Sequence, residues 1–285
     1  MGTNFEQVIF GEIDFLPIDL DSRIKIKQIG GGVIPEMAEA FGVTDDIETL
    51  DGLDRLIKAV GPNKKLQENI DHARTVLGPN AIDTARDWVQ RTGLLMPTKR
   101  SFMSPDVKFP DEFDVAVITG GTENVMQRRA EALMPYAGRV GRVLLLGGNT
   151  QITLNDGSTI KESDYMVETL REKLVRGGFY NMTIFRVDSG KGTEVLEAGT
   201  KVIKETDTVL EAINPGNVLQ LGSLLRRALR EVHPSFDNQG HSLFVVSGEL
   251  ELGTGVEPSS THQNPLSALG MIARNAKQVL RTFAD

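Results

Sequence analysis

The sequence predicts an α/β protein built on a doubly wound parallel sheet of about five strands, with a helical subdomain at its amino-terminal end. Two observations lead to this prediction. Short apolar runs rich in β-branched residues alternate with helix-length segments after residue 113, and glycine turns close several of these runs. Strands and helices that alternate in this way form βαβ units with parallel strands, and such units build doubly wound sheets.

The composition narrows the class of protein and partner. Hydrophobic residues make up 40% and charged residues 25% of the 285 residues, as in ordinary soluble proteins. The formal net charge of −8 argues against a broad phosphate-neutralising surface, so nucleic acid is not expected as a partner. The absence of cysteine excludes disulfides and cysteine-based metal sites, and no metal site is predicted. No secretory signal or apolar span is visible, so we expect a cytoplasmic protein without a membrane partner.

The region up to residue 107 is predicted to be mainly helical. Residues 23–29 alternate charged and apolar side chains, a period of two that indicates a half-exposed strand. Gly30-Gly31-Gly32 separates this strand from a short helix predicted at residues 34–41. A strand, glycines and a helix in this order can cradle an anion on free N–H groups, but a flexible turn into a short helix is the favoured interpretation.

Three further helices are predicted between residues 44 and 93. The first begins at a capping-box pattern on Asp45 and carries an apolar stripe to residue 60, and the second covers residues 64–77. The third follows Asn80 as its cap and ends before a glycine. Helices this short gain their stability by packing, so we interpret them as a subdomain.

Residues 94–112 contain three prolines and no sustained period, which indicates a linker. We therefore predict two domains, a mainly helical region at 1–107 and an α/β domain at 108–285.

The α/β domain is predicted to contain five strands, at residues 115–118, 143–146, 182–187, 218–221 and 243–246. The helices between and after them are predicted at residues 123–136, 162–175, 193–204, 224–231 and 265–283. Parallel strands have their carboxyl ends at one edge of the sheet, where open Rossmann-like sheets bind ligands. The turns after the first three strands should therefore meet at this edge.

The turn after the first strand is the leading candidate for ligand binding. Its glycines allow close approach, and the helix that follows presents unpaired N–H groups. Arg128 lies one turn into that helix and can point back to grip a phosphate or carboxylate. The alternative is that Arg128 and Arg129 pair with glutamates on a solvated face. The other residues predicted to contact the ligand here are Gly120, Gly121, Thr122 and Asn124.

The next two turns extend the predicted site along the same edge. The second turn supplies Gly147, Gly148 and Asn149. The third turn, at 188–194, is small, polar and flexible, although it lacks the spacing of a Walker loop. Its predicted ligand contacts are Ser189, Lys191 and Thr193.

Two residues are predicted as catalytic. Glu162 opens the helix after the second strand, where a carboxylate can also serve only as a favourable first-turn charge. His262 lies in a dense polar loop after three glutamates, and a carboxylate with a histidine can carry out acid–base work. The alternative for His262, an acidic surface loop before the last helix, is favoured.

The segment from about Asp114 to Arg230 resembles the SanA/YdcF/ElyC-like domain, a bacterial family of largely unassigned function. The family's Arg-x-x-x-Ala helix is matched by Arg128 and Ala132, and its small-residue-Gly-Gly turn by residues 146–148. The family's Glu-x-x-x-Met helix start is matched by Glu162 and Met166, and Ser189 with Thr193 are candidates for its Ser/Thr loop.

The chain departs from this family at three places. The spacing from serine to threonine is one residue wider, Arg186 stands where an acidic residue is common, and the histidine of a later His-x-x-Arg-Ala turn is missing near residue 224. The resemblance implies a Rossmann-like fold and offers S-adenosylmethionine binding or envelope maintenance as functions. The cofactor is otherwise unknown, with S-adenosylmethionine or a nucleotide as the candidates.

These observations predict a protein that binds a small anionic or nucleotide-like ligand across three glycine turns. It would act on that ligand as a transferase or hydrolase, or sense it without catalysis. A third interpretation is a scaffold whose helices bind protein and whose glycine turns are ordinary connections. The sequence does not determine the oligomeric state.

Overall fold

The computed structural model describes residues 32–44, 46–62, 65–92, 98–102, 107–189, 192–214, 216–236, 243–248 and 264–283. They divide into two compact units. The α/β unit comprises residues 98–214 and 221–248, and the helical unit comprises the remaining described residues. The predictions for residues 23–29, Gly30-Gly31, Asp45, Lys191 and His262 lie outside the described residues.

The α/β unit contains a six-stranded sheet with the order β1-β8-β7-β2-β3-β6, and β4 and β5 form a separate antiparallel pair. All neighbours in the large sheet are parallel except β1, which runs antiparallel to β8. The predicted doubly wound parallel sheet is confirmed. The strands are β1 (Thr98–Ser101), β2 (Phe113–Thr119), β3 (Val140–Gly147), β4 (Gln151–Thr153), β5 (Thr159–Lys161), β6 (Met182–Arg186), β7 (Val209–Ala212) and β8 (Leu243–Ser247).

The helical segments follow the alternating pattern that the sequence predicts. Between α6 and α7, residues Met166–Leu170 form a π-helical turn. In chain order the helices are α1 (Val33–Ala40), α2 (Leu50–Val60), α3 (Leu66–Leu77), α4 (Ala81–Arg91), α5 (Glu123–Leu133), α6 (Glu162–Tyr165), α7 (Arg171–Arg176), α8 (Gly192–Thr200), α9 (Val218–Val232) and α10 (Pro265–Phe283).

Helices cover both faces of the sheet. On one face, side chains of α5 and of the segment from α6 to α7 join a core cluster with Ile118 and Leu145. On the other face α8 packs against β3, and Gly199 lies so close to Leu146 that a Cβ there would be 2.4 Å from its side chain. This arrangement leaves the carboxyl edge of the sheet, with its turns, between the two helical layers.

The predicted fourth strand is wrong, because residues 218–221 begin α9. The strand that lies between β2 and β8 is instead β7, and all four of its residues are buried. Glu211 interrupts the apolar run of β7, so the sequence pattern does not indicate a buried strand here. Val218 instead starts an apolar stripe that continues to Leu225 and Leu229 on the buried side of a helix.

The observed units differ from the predicted boundaries at both ends of the α/β domain. Part of the predicted linker forms β1, which pairs with β8. The carboxyl-terminal helix α10 belongs to the helical unit, where it packs against α2 and α4 and Lys277 forms an ion pair with Asp54. The reason is its apolar stripe, which includes Leu269, Ile272 and Ala276 and is fully buried.

The helical unit has specific polar contacts besides its apolar core. The N-cap of α2 is Thr49, whose hydroxyl accepts a hydrogen bond from the Gly52 N–H at 3.1 Å. Trp88 is buried, and its indole N–H donates to Glu36 at 2.8 Å. Among the described helices, none combines the length and the apolar character needed to cross a membrane. The cytoplasmic location stays a prediction.

Candidate functional site

The candidate site lies where the strand order of the sheet reverses. The chain leaves β2 and builds β3 and β6 on one side, whereas β7 and β8 lie on the other side. The crevice outside the carboxyl ends of strands at such a switch point is the usual ligand position in open α/β sheets. Here it is bordered by Gly120, which follows β2, and by Asn214, which follows β7.

A buried arginine of α5 connects the two strand ends. One terminal nitrogen of Arg129 lies 2.7 Å from both the carbonyl and the hydroxyl oxygen of Thr119 and 2.6 Å from the Gly120 carbonyl. Its other terminal nitrogen donates to the side-chain oxygen of Asn214 at 2.8 Å. Arg129 is only 3% exposed, so it is part of the interior. The alternative of a solvated arginine pair is therefore wrong for Arg129.

The carboxyl group of Glu162 occupies the space between the first two glycine turns. Its Oε2 accepts a hydrogen bond from the Gly148 N–H at 2.7 Å, and the Gly121 N–H also donates to this carboxylate. A Cβ on Gly120 would lie 2.0 Å from its carboxyl carbon, so a side chain at position 120 would displace it. N–H groups that the sequence assigns to a ligand are thus bound to a carboxylate of the chain.

The surroundings change the acidity of this carboxyl group. Burial raises the pKa of Glu162, because the charged form loses hydration. The Gly148 N–H, the charge of Arg129 and the Gly121 N–H oppose this shift, because each stabilises the carboxylate. Burial also lowers the pKa of the Arg129 guanidinium to about 10, against the attraction of Glu211 and Glu162, so this arginine is charged at neutral pH.

Glu211 is a second buried acid in this region. Leu210 and Ala212 belong to the core cluster beneath α5, and side chains alternate along a strand, so Glu211 faces the opposite side of the sheet. The residue is fully buried, and neither carboxyl oxygen has a hydrogen-bond partner in the part of the chain that the structure describes. Burial raises the pKa of Glu211 to about 8, although the charge of Arg129 lowers it. Glu211 is therefore mostly protonated at pH 7.

The second and third turns meet at the same edge, as the strand order requires. The Asn149 N–H donates to the Ser189 carbonyl at 2.9 Å, and the Asn149 side chain donates to Asp188 at 2.7 Å. A Cβ on Gly148 would be 2.7 Å from the Ser189 carbonyl oxygen, which explains a glycine at this close approach. A Cβ on Gly147 would meet the backbone of Ser163 at the same distance of 2.7 Å.

The remaining predicted ligand residues are placed differently. Thr122 is the exposed N-cap of α5, and Thr193 is a half-buried residue in the first turn of α8. Asn124 exchanges hydrogen bonds of 3.3 and 3.2 Å with Asn155, which lies between β4 and β5. Arg128 is half-buried and makes no hydrogen bond or ion pair within the described ranges, so the cation in contact with the first turn is Arg129. The ligand roles of these residues stay predictions.

Arg129, Glu211 and Asn214 were not among the predicted site residues. A signal for Arg129 was present, since it lies four residues after Val125 and three after Met126, on the stripe that α5 buries. Arg128 falls beside that stripe. Glu211 and Asn214 carry no comparable signal, because β7 itself was not predicted.

In the part of the chain that the structure describes, no three or more acidic or histidine side chains form a group that could hold a metal ion. The chain was also compared with protein-family models, with curated proteins and with solved structures, and none of them matches it. A function can therefore be inferred only from the geometry of the site.

Proposed function

We propose that the α/β unit binds a small anionic or nucleotide-like ligand at the carboxyl edge of its sheet and that Glu162 exchanges a proton with it. The ligand would lie across the glycine turns after β2 and β3, beside Asn149 and Ser189. Transfer or hydrolysis on a phosphorylated or nucleotide-like metabolite is the reaction class that we assign. S-adenosylmethionine is one candidate ligand.

The carboxyl group of Glu162 is the observation that carries this proposal. It lies at the ligand edge of the sheet, and the Gly148 N–H at 2.7 Å fixes its orientation. Burial raises its pKa above the ordinary value of a glutamate, the direction in which active sites shift a carboxyl group that transfers a proton. The π-helical turn directly after α6 supports the proposal, because such turns are frequent at functional sites.

A second function, ligand sensing without catalysis, is favoured by one specific contact. Glu162 already occupies the N–H groups of Gly148 and Gly121 that an anionic ligand would use. A ligand phosphate or carboxylate would then have to displace the Glu162 side chain. This displacement would be the structural change by which the protein reports that the ligand is bound. In this case Glu162 competes with the ligand and takes no part in a reaction.

A thermal-shift screen of nucleotides, S-adenosylmethionine and sugar phosphates tests both functions. A ligand at 100 times its Kd should stabilise the protein by about 2.7 kcal/mol. The screen is repeated on Glu162→Gln, which cannot ionise, and on Glu162→Ala, which vacates the N–H groups. Glu168→Gln is the matched control, because Glu168 is an exposed acid on the same helical segment.

The outcomes separate the two functions. If Glu162 is an acid–base group, Glu162→Gln retains binding of the hit and loses its turnover. If Glu162 competes with the ligand, Glu162→Ala binds the same compound more tightly and no variant turns it over. If no compound shifts the melting temperature, or if both Glu162 variants bind the hit and turn it over as Glu168→Gln does, the proposal is wrong.

Membership in the SanA/YdcF/ElyC-like family stays a prediction. Gly148 and Glu162, which belong to two of the motifs behind that resemblance, lie in direct contact. The proposed function is based on that contact and does not require the family.

A further inference from the structure

A polar cleft with a volume of about 250 Å³ lies next to Glu162, at the carboxyl ends of β3 and β6. Pockets for drug-sized ligands measure roughly 300–1,000 Å³, so this cleft has room for one end of a ligand. Asn149 of the second turn and the neighbours of Glu162 on both sides, Lys161 and Ser163, contribute to its wall. The cleft is therefore an extension of the proposed site.

The charges in the wall of the cleft balance. Arg186 and Asp164 both line it and pair with each other, with 3.3 Å between guanidinium nitrogen and carboxylate oxygen. Lys161 also lines it, is exposed and forms no ion pair with any described residue. Asp188 accepts a hydrogen bond from the neutral Asn149 side chain but has no cationic partner in the described ranges. Among the described residues, one ammonium group and one carboxylate of the wall thus have no partner of opposite charge.

A ligand group of a single charge does not suit this wall. An anion would gain the attraction of Lys161 but would also face Asp188, and a cation would meet the opposite problem. A like charge next to a ligand group is the usual way in which a site rejects it. A group that carries both charges satisfies both side chains at once.

We propose that the cleft binds a zwitterionic end of the ligand, with its anionic group on Lys161 and its ammonium group on Asp188. Amino acids, in which a carboxylate and an ammonium group lie a few bonds apart, are the simplest members of this class. The inference rests on the proposed function, because it assigns the second half of the same ligand site. It does not use the N–H groups that Glu162 occupies.

Saturation-transfer NMR on the full chain tests this inference with glycine, β-alanine and γ-aminobutyrate, which differ in the distance between their two charges. Propionate and propylamine are the controls, because each has the carbon number of β-alanine and only one of its charges. At least one zwitterion should bind, and neither single-charge compound should match it. Lys161→Gln and Asp188→Asn should each weaken the Kd about twofold to fivefold, the effect of losing a partly exposed ion pair.

Glu172→Gln provides the matched control variant, because Glu172 forms an exposed ion pair with Arg176 outside the cleft wall. It should leave zwitterion binding unchanged. The inference is overturned if no zwitterion binds, if propionate or propylamine binds as well as β-alanine, or if the Lys161 and Asp188 variants bind like wild type.

The failure of this inference differs from the failure of the proposed function. Nucleotide binding that depends on Glu162, without any effect of Lys161 or Asp188, overturns the zwitterion site alone. Zwitterion binding that depends on Lys161 and Asp188, in a protein that binds no compound of the thermal-shift screen, overturns the proposed function and leaves the zwitterion site standing.

Discussion

The two ends of the central sheet are built in opposite ways. At the amino end, the rings of Phe109, Phe113, Tyr136 and Phe244 pack with centroids 5.2–6.1 Å apart, and the Lys99 ammonium lies 4.9 Å from the Phe109 ring centroid. At the carboxyl end, Arg129 and the mostly protonated acid Glu211 are buried, Glu162 is half-buried, and Glu211 has no hydrogen-bond partner among the described residues. Aromatic burial stabilises a fold, whereas a buried unpaired acid costs free energy. We infer that the amino end supplies stability, whereas the carboxyl end, where the proposed ligand site lies, contributes less.

The largest effect is expected from Phe113→Ala, at the amino end. Phe113 is 3% exposed and touches three other rings, so its loss leaves a cavity and should reduce the free energy of unfolding by about 3–5 kcal/mol. Chemical denaturation followed by circular dichroism measures this change. Tyr180→Ala is the control, because Tyr180 is 81% exposed and its loss should change stability by less than about 0.5 kcal/mol. Equal effects of the two variants would refute the assignment of stability to the aromatic end.

The next effect is the pH dependence caused by Glu211, at the carboxyl end. The folded protein holds this proton up to a pH of about 8, whereas the unfolded chain releases it near the ordinary value of 4.5. The contribution of the protonated Glu211 to the free energy of unfolding is therefore fully present below pH 4.5 and is lost as the pH rises through about 8. Denaturation midpoints across this window should fall for the wild type and fall less steeply for Glu211→Gln, which has no proton to lose. Parallel curves for the two proteins would contradict the assignment.

A smaller effect is expected from Gly148→Ala, which tests the close approach of two turns. The added Cβ would lie 2.7 Å from the Ser189 carbonyl oxygen, a backbone atom, so the turns must separate. We expect a loss of about 1–3 kcal/mol, as for other overpacked sites. Gly192→Ala is the control, because the added Cβ meets no atom of a described residue within 4 Å, whereas the φ of 86° at Gly157 would strain any side chain there. Similar stabilities of the Gly148 and Gly192 variants would show that the turns do not touch.

The smallest effect is expected from Asn155→Ala, which removes the amide pair with Asn124. Both side chains are exposed, so the loss should be about 0.5–1 kcal/mol or less. Denaturation of Asn124→Ala and of the double variant completes a mutant cycle. A coupling energy near zero would mean that the β4–β5 turn is not held to α5 by this pair.

The sequence predicts the central unit of the fold well, because its signals are local. The strands β2 and β3 are continuous apolar runs that end in glycine turns, and α5 between them has an unbroken helical stripe. Their parallel pairing then places the two turns at one edge. The antiparallel strand β1 was not predicted, because its residues Thr98–Ser101 are polar and charged and gain strand structure only by pairing with β8.

The sequence predicted that the glycine turns meet at one edge of the sheet, and the structure places them there, but the sequence did not identify the side chains that contact these turns. Arg128 and Arg129 are adjacent in the sequence, and only the packing of α5 decides which guanidinium reaches the carbonyl groups of the first turn. Glu162 was predicted as a catalytic group in the next helix. Its contact with the Gly148 N–H, on which the proposed competition with a ligand is based, depends on how the chain returns after β5.

The sequence by itself therefore determined the alternation of strands and helices, the edge at which the glycine turns meet and the residue types available there. These properties follow from periodicity and from glycine geometry, which act over a few residues. The tertiary structure decided which charges are buried together. A pKa shifts through burial and through charges that are distant in the chain, as when the charge of Arg129 lowers the pKa of Glu211 against the effect of burial, and such groups come within range of one another only when the sheet is assembled.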